Sequence, residues 1–455
     1  MEGKRIESIG FVSLVCLVVA NMIGSGLYTS SGFAIASLGR ADLVMAVWGI
    51  AGVMAICGAV SYGAIASRIP DSGGEYLYLS RLIHPSMGFL AGWISLVAGF
   101  TGPIAAAALV FAIYADSTTF QKLHLDQKSL ASIVILVAAT LHAFRLRTGL
   151  WTQNVAVVVK LLALGGLIVW GLLLLPSSSW STEVAPPPAL PLPLPAYSVA
   201  GLVVPMLSSL VWISLSYTGF NAAVYVAGES KNARSLVPRA MLTATALVTL
   251  IYMCLNFLFL YGCDLERISG EPRIAEVSAM AIGGIWMSRI MIITILLSSW
   301  TSVLSLLMTG PRVYAKMADD HLLPKLFKTT GDVPRLAILV QAILAIVIVY
   351  VSNIRDLIGF LGLTLTACGA ITVASIWRIK KVCPESQRLR LHEHVAATIF
   401  ILLTISMIFA ASTFQRRQFY TMLVTFASGI LLYGISRWSE SKRHMSTGSK
   451  PEASA

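Results

Sequence analysis

Residues 21–26 read NMIGSG and interrupt the first apolar run of the chain, residues 9–37. A glycine inside a helix costs about 1 kcal/mol relative to alanine, so the two glycines weaken this helix near its middle. A second interruption, SYTGFN at residues 216–221, lies at a matching depth in the sixth apolar run. Two interrupted helices in corresponding positions of two repeats indicate a solute-binding site between them.

The composition of the chain is that of an integral membrane protein. Of its 455 residues, 56% are hydrophobic and 12% are charged, and the mean hydropathy is +0.79. Soluble domains carry about 25% charged residues, so this chain has too few polar side chains to cover a water-facing fold. Its net charge of +12 comes from Lys and Arg in short loops, without interleaved aromatics, and does not predict nucleic-acid binding. The lipid bilayer is the expected solvent for much of the surface.

Twelve apolar runs approach the length of about 20 residues that crosses a bilayer, and the fourth and ninth are the least certain. We number them as the first to twelfth spans and expect an all-α integral membrane protein. The predicted spans are residues 9–37, 43–66, 86–115, 129–144, 150–175, 199–228, 238–262, 286–312, 335–352, 356–379, 393–412 and 417–438.

Basic residues between the spans predict the orientation in the membrane. With the N-terminus inside, 23 of the 33 Lys and Arg residues fall in cytoplasmic segments and nine in external ones. An even number of spans returns the C-terminus to the same side. We therefore expect both termini in the cytoplasm and a bacterial inner (plasma) membrane as the location.

The segment 176–195 is rich in Ser and Pro, carries no Lys or Arg, and suits a semi-extended external loop. It divides the spans into two blocks of five, which two further spans follow. The predicted organisation is a cytoplasmic N-terminal tail (1–8), a five-helix repeat (9–175), the external loop (176–198), a second five-helix repeat (199–379), the eleventh and twelfth spans with the preceding cytoplasmic loop (380–438), and a cytoplasmic tail (439–455).

Unwound backbone at bilayer depth exposes N–H and C=O groups, which must line a cavity or bind a ligand. A helix N-terminus suits a carboxylate, and carbonyl-bearing ends suit an ammonium or a cation. A zwitterionic amino acid presents both charges at once. Gly-x-Gly is also typical of close helix packing, and for Gly24 and Gly26 alone that alternative stays open.

Lys160 is the one Lys or Arg that cannot be assigned to a loop, and it lies about half-way along the fifth span. An unpaired ammonium there costs roughly 3 kcal/mol or more. In one interpretation it replaces a bound sodium ion and contacts carbonyls of the first break and hydroxyls such as Ser299 or Ser302. In a second, its protonation couples transport to protons, and in a third the side chain extends to the membrane interface.

The interiors of the first, third, sixth, eighth and tenth spans contain no Asp or Glu. A site for a basic amino acid or a polyamine needs a carboxylate for the extra cation, so this absence favours a neutral side chain. The chain has no HExxH, GxSxG or Walker motif, and its six cysteines form no CxxC pair. We expect no enzymatic activity, no cofactor and no metal site.

Four motifs follow one another along the chain: IGSGLY (23–28), PDSGGEYLY (70–78), YTGFN (217–221) with ESKN (229–232) and PRA (238–240), and RVYAKMADD (312–320) with LLP (322–324). In this order and spacing the chain resembles the amino acid–polyamine–organocation (APC) superfamily over about residues 6–380, and within it the L-type amino acid transporter branch.

The resemblance implies a five-plus-five inverted-repeat, LeuT-like fold with broken helices 1 and 6 and two additional C-terminal helices. It implies that Lys160 occupies the position of a sodium ion. It also implies two groups of substrate-binding residues: Ile23, Gly24, Ser25 and Gly26 at the substrate carboxylate, and Tyr217, Thr218, Gly219 and Asn221 at its amino and side-chain end.

The chain departs from the branch in two places. Branch members carry an aromatic gate four residues before the sixth-helix glycine, where this chain has Leu215. Trp212, Tyr217 or Phe220 is then the candidate replacement, and we take Leu215 and Phe220 as gating residues. Members that pair with a glycoprotein heavy chain use an external cysteine after the third span, which the loop 115–128 lacks. We therefore expect no heavy-chain partner.

The predicted function is secondary active transport of a small amino acid or amine, with a neutral amino acid favoured. Alternating access would carry the substrate by exchange or with protons. A cationic amino acid or polyamine antiporter is the alternative, and a non-transporting substrate sensor on the same fold is a further one.

Overall fold

The computed structural model describes residues 9–115, 126–143, 150–175, 199–319, 335–382, 384 and 388–447. Several sequence predictions lie outside these residues: the N-terminal tail, the Ser/Pro-rich loop 176–198, most of the loop 115–128, and the end of the fourth motif. The described chain is built from helices, seventeen of them α-helices, which we number α1 to α17.

The first span is broken into α1 (Phe11–Met22), a 3₁₀ turn (Ser25–Tyr28) and α2 (Ser30–Leu38). A π-helical segment (Ser95–Thr101) joins the two parts of the third span. The remaining elements of this half are α3 (Ala41–Arg68), α4 (Gly74–Leu82), α5 (Pro85–Ile94), α6 (Gly102–Ala115), α7 (Gln127–Ala143) and α8 (Leu150–Leu174).

The sixth span is broken in turn, into α9 (Val199–Tyr217) and a 3₁₀ segment (Ala222–Glu229). The elements that follow are α10 (Ala233–Tyr261), α11 (Leu265–Ile268), α12 (Ile274–Asp319), α13 (Arg335–Val351), α14 (Ile354–Ala374), a 3₁₀ turn (Ser375–Arg378), α15 (Ile379–Val382), α16 (Leu391–Phe414) and α17 (Arg416–Thr447).

These helices confirm the predicted membrane-spanning fold. Within the described residues, nine helices are long and apolar enough to cross a membrane, and three shorter apolar helices accompany them. The shorter ones are α1 of the broken first span and the fourth and ninth spans, the two that the sequence marks as shortest. The chain is therefore an integral membrane protein whose first and sixth helices are discontinuous.

Three predicted boundaries need correction. The short loop predicted after the second span contains the helix α4, which folds back toward the sixth span. The eighth span starts at Ile274 rather than at residue 286, and it bends at Gly283 and Gly284, where φ of Gly284 is 66°. The twelfth helix continues to Thr447, so residues 439–447 are helical rather than tail. Glu and Lys are good helix formers and Ser is only slightly poorer, so the polar composition of this stretch does not end the helix.

Burial separates the inner spans from the outer ones. In the third and tenth spans 72% of the most apolar stretch is buried inside the protein, against 28% in the fifth and 17% in the twelfth. Leu173 of the fifth span is 79% exposed, as expected for a side chain that lipid covers. The sixth span is 61% buried by the same measure, and most residues of α1 and α2 are buried, so the two broken spans lie in the interior of a helical bundle.

Candidate functional site

The first break opens the backbone between α1 and the following 3₁₀ turn. Gly24 is extended (φ −132°, ψ −156°), and its N–H has no acceptor among the described residues. The carbonyl of Met22 accepts from the hydroxyl of Tyr252 at 2.6 Å, and that of Ile23 accepts from Nζ of Lys160 at 3.2 Å. Side chains from other spans thus satisfy the carbonyl-bearing end of α1, and N–H groups remain for a ligand.

The second break turns at Gly219, whose φ of 94° favours glycine. A Cβ atom on this glycine would lie 2.8 Å from the carbonyl carbon and oxygen of Asn21 in the first break. The reverse holds for Gly26, where a Cβ atom would lie 2.5 Å from Oγ and 3.0 Å from Cα of Ser216. Each break therefore packs its glycine against the backbone of the other.

Tyr252 of α10 joins the two breaks. Its hydroxyl lies 2.6 Å from the carbonyl oxygen of Met22 and 2.9 Å from that of Ser216, so one buried donor serves both. A tyrosine within an apolar run carries no sequence signal for this role. Its contribution appears only once the two breaks are placed side by side.

A cavity of about 440 Å³ lies between the breaks. It reaches the surface at Ser72 and Glu229, which are exposed, and we call this end the mouth. Ile23, Lys160 and Ser299 lie behind the wall. Ten residues singled out from the sequence line the cavity: Gly24, Ser25, Gly26, Leu215, Tyr217, Thr218, Gly219, Phe220, Asn221 and Ser302.

Lys160 is buried, 2% exposed, and its ammonium contacts the first break. The side chain therefore does not extend to an interface. The hydroxyls of Ser299 and Ser302 are buried without a hydrogen-bond partner among the described residues, and neither bonds to Lys160. A cation near the carbonyl end of α1 is favourable, because the helix dipole is negative there.

Glu75 places a carboxylate in the cavity wall that the sequence analysis missed. It is buried on α4, and it accepts hydrogen bonds from Tyr62 at 3.0 Å, from Nδ2 of Asn221 at 2.6 Å, and from Tyr225. Glu75 follows the second span, so the pattern of acidic residues within the spans does not reveal it. Among the described residues that line the cavity, Glu75 and Glu229 are acidic and none is Lys, Arg or His.

Two aromatic side chains and a guanidinium group pack together beyond the end of the cavity that lies opposite the mouth. The guanidinium of Arg355 lies 4.9 Å from the ring centroid of Trp212 and 5.8 Å from that of Phe33. The two ring centroids are 6.4 Å apart, and both side chains are buried. Trp212 lies almost one helical turn before Leu215. Phe33, Trp212 and Arg355 are not among the described residues that line the cavity. The cavity is therefore covered at this end, and the path from the breaks to the surface runs toward the mouth.

A cavity lined by the unwound backbone of two discontinuous membrane helices is typical of the binding site of a secondary transporter. The family model described as "Amino acid permease" matches residues 9–435, and the chain belongs to this family of the APC superfamily, close to its L-type branch.

Curated relatives are amino acid transporters as well. The human Large neutral amino acids transporter small subunit 2 is 26% identical over 387 residues, covering 81% of this chain and 69% of the relative. The Serine/threonine exchanger SteT of Bacillus subtilis is 25% identical over 354 residues, covering 76% and 77%. The human Asc-type amino acid transporter 1 is 24% identical over 391 residues, covering 82% and 72%.

Proposed function

We propose that the protein exchanges neutral amino acids across the membrane by alternating access, and that it holds each substrate between the two breaks. The observation that carries this proposal is the cavity itself, which both breaks line. Support comes from the names of the relatives, which describe a transporter of large neutral amino acids and an exchanger of serine and threonine.

The two charges of the substrate fit different parts of the site. Its carboxylate would accept from the free N–H groups of the first break, at Gly24, Ser25 and Gly26, with Ile23 behind them. Its ammonium would contact the carbonyl-bearing end of α9, around Tyr217, Thr218 and Gly219. The side-chain amide of Asn221 already donates to Glu75, so Asn221 would act through that carboxylate.

The charge of the cavity wall selects against anions. Glu75 and Glu229 are the charged residues among those described in the wall, so a substrate with a net negative charge meets repulsion that no described Lys or Arg of the wall offsets. Three donors already occupy the Glu75 carboxylate, which leaves little capacity for a substrate cation. Neutral zwitterions are therefore favoured over acidic and over basic amino acids.

Lys160 is the proposed coupling group. Its ammonium holds the carbonyl of Ile23 where a sodium ion would otherwise be needed, with Ser299 and Ser302 as further members of this region. Leu215 and Phe220, both in the cavity wall, are the proposed gating residues, and Trp212 under Arg355 would close the outer end.

The same proposal covers topology and partners. Both termini and the mouth would face the cytoplasm of a bacterium, with five helices in each repeat and two helices after them. The chain would work without a heavy chain, although one relative is named a small subunit. It would move its substrate without chemical conversion.

Counterflow in proteoliposomes tests the function. Vesicles loaded with unlabelled leucine or serine should take up the labelled amino acid several times faster than empty vesicles, while internal aspartate or arginine should give no stimulation. Exchange driven by arginine or agmatine, with no response to neutral amino acids, would favour the cationic alternative. Binding without flux would favour a sensor.

A further inference from the structure

We propose that Tyr225 is a gate between the two breaks and the mouth of the cavity, and that Glu75 is the positioning residue that holds it closed. This inference rests on the proposed transport function and adds to it a device that controls release at the mouth.

Tyr225 reaches from the sixth span to the third. It lies on the 3₁₀ segment that follows the second break, and its hydroxyl donates to Glu75. Its ring lies edge-on to Phe100, with centroids 6.1 Å apart, and Phe100 lies edge-on to Tyr314 at 6.3 Å. Tyr225 and Phe100 both line the cavity. A ring in this place narrows the path from the breaks to the mouth.

Glu75 accepts hydrogen bonds from three side chains on two elements. Tyr62 comes from the second span, whereas Asn221 and Tyr225 flank the start of the 3₁₀ segment. Hydrogen bonds to an ionised acceptor are roughly twice as strong as neutral ones. The carboxylate therefore fixes the direction of the Tyr225 side chain more firmly than ring packing alone.

The backbone turn at the start of α4 lets Tyr225 approach Glu75. Gly73 and Gly74 have φ of 143° and 58°, and a Cβ atom on Gly74 would overlap the ring of Tyr225. Next to them, Oγ of Ser72 accepts from the backbone N–H of Gly228 at 2.9 Å. The motif DSGGE at residues 71–75 thus brings α4 against the 3₁₀ segment at two points, which explains the two glycines.

The 3₁₀ segment is the part of the sixth span best able to move. Its hydrogen-bond geometry is poorer than that of an α-helix, and the break uncouples it from α9. When Tyr225 leaves Glu75 and Phe100, the path between the breaks and the mouth widens. When it returns, the substrate is enclosed on the mouth side.

Cys368 provides a reporter of this movement. It lines the cavity and is 4% exposed. In a variant that retains Cys368 and has the other five cysteines replaced by serine or alanine, an impermeant maleimide applied from the mouth side measures how often the cluster opens.

The test compares Tyr225→Phe and Glu75→Gln with Tyr78→Phe, all in that background. Tyr225→Phe keeps the ring and removes the bond, and Tyr78→Phe, on α4 itself, removes a buried hydroxyl that has no partner among the described residues. We expect Cys368 to react about tenfold faster in the first two variants, and at the unaltered rate in the third.

Transport and binding measured on the same proteins separate a gate from a structural contact. In Tyr225→Phe we expect the dissociation constant of a neutral amino acid to stay within about twofold while the maximal exchange rate changes, because the Tyr225 hydroxyl lies outside the proposed substrate contacts. Unchanged labelling of Cys368 in Tyr225→Phe and Glu75→Gln, with exchange intact, would overturn the gate alone. Absence of neutral amino acid exchange before any substitution would instead overturn the proposed function.

Discussion

The two breaks are fixed by opposite charges. In the first, side-chain donors occupy backbone carbonyls, and the ammonium of Lys160 is one of them. In the second, the carboxylate of Glu75 accepts from side chains that flank the inner 3₁₀ segment. Both arrangements agree with the helix dipole, since a cation lies at a carbonyl end and a carboxylate near an N–H end.

The difference indicates which break moves more easily. Tyr114, Lys160 and Tyr252, from three different spans, each donate to a carbonyl at or next to the first break. The inner part of the sixth span is held by one cluster around Glu75 and by backbone hydrogen bonds of its last two residues, Gly228 to Ser72 and Glu229 to Ile9. We infer that the first break is the fixed side of the cavity and that the inner part of the sixth span is its mobile side.

The largest expected effect is that of Gly219→Ala. The positive φ and the 2.8 Å approach to Asn21 leave no room for a methyl group, and strain of this kind costs about 1–3 kcal/mol before any backbone shift. We expect exchange to fall at least about tenfold. Gly165→Ala is the matched control, because a Cβ atom there meets nothing within 4 Å. Normal exchange by Gly219→Ala would show that the breaks need not touch.

Lys160→Ala removes the cation at the first break and leaves the carboxylate at the second in place. We expect the protein to fold but to lose net uptake in proteoliposomes, because the Ile23 carbonyl loses its donor and the bilayer interior offers no replacement. Lys128→Ala is the control, since Lys128 donates to the Tyr350 carbonyl at 3.0 Å from an exposed position. Unaltered uptake in Lys160→Ala would exclude the coupling role.

Tyr252→Phe tests whether one hydroxyl holds the breaks together. It leaves two buried carbonyls without this donor, so we expect a loss of about 1–3 kcal/mol in the free energy of unfolding, measured by denaturation in detergent. Tyr78→Phe removes a hydroxyl without a partner in the described structure and should change little. Equal losses of unfolding free energy in Tyr252→Phe and Tyr78→Phe would mean that the Tyr252 hydroxyl does not hold the breaks together.

Arg355→Ala tests the end of the cavity opposite the mouth, where Arg355 covers Trp212 and Phe33, and it has the smallest expected effect. A cation–π contact is worth about 0.5–1 kcal/mol at an exposed site, so its loss should shift the balance toward outward opening by about two- to fivefold. The external KM should fall by the same factor, because more of the protein is then competent to bind. Arg289→Ala removes a comparable contact with the 65% exposed Trp286 and should leave KM unaltered.

Apolar run length and glycine placement made much of the fold predictable from sequence. The spans, both breaks and the burial of Lys160 follow from them, since hydrocarbon admits few alternatives to a helix. The eighth span was placed too late because its first segment lies before the bend at Gly283 and Gly284.

The rest of the site depends on which spans meet. Glu75 lies outside every predicted span, and it enters the cavity wall because the turn at Gly73 and Gly74 folds α4 back. Tyr252 contacts two carbonyls that precede it in the chain, one by 36 residues and the other by 230. Contacts of this kind are set by tertiary packing, so the sequence pattern of one span does not contain them.

A structure of the protein with a neutral amino acid bound tests the central claim most directly. The account predicts one molecule between the breaks, with its carboxylate at the N–H groups of Gly24 to Gly26 and its ammonium near the carbonyls that precede Gly219. A substrate bound elsewhere in the cavity, with both breaks in contact only with each other, would contradict it.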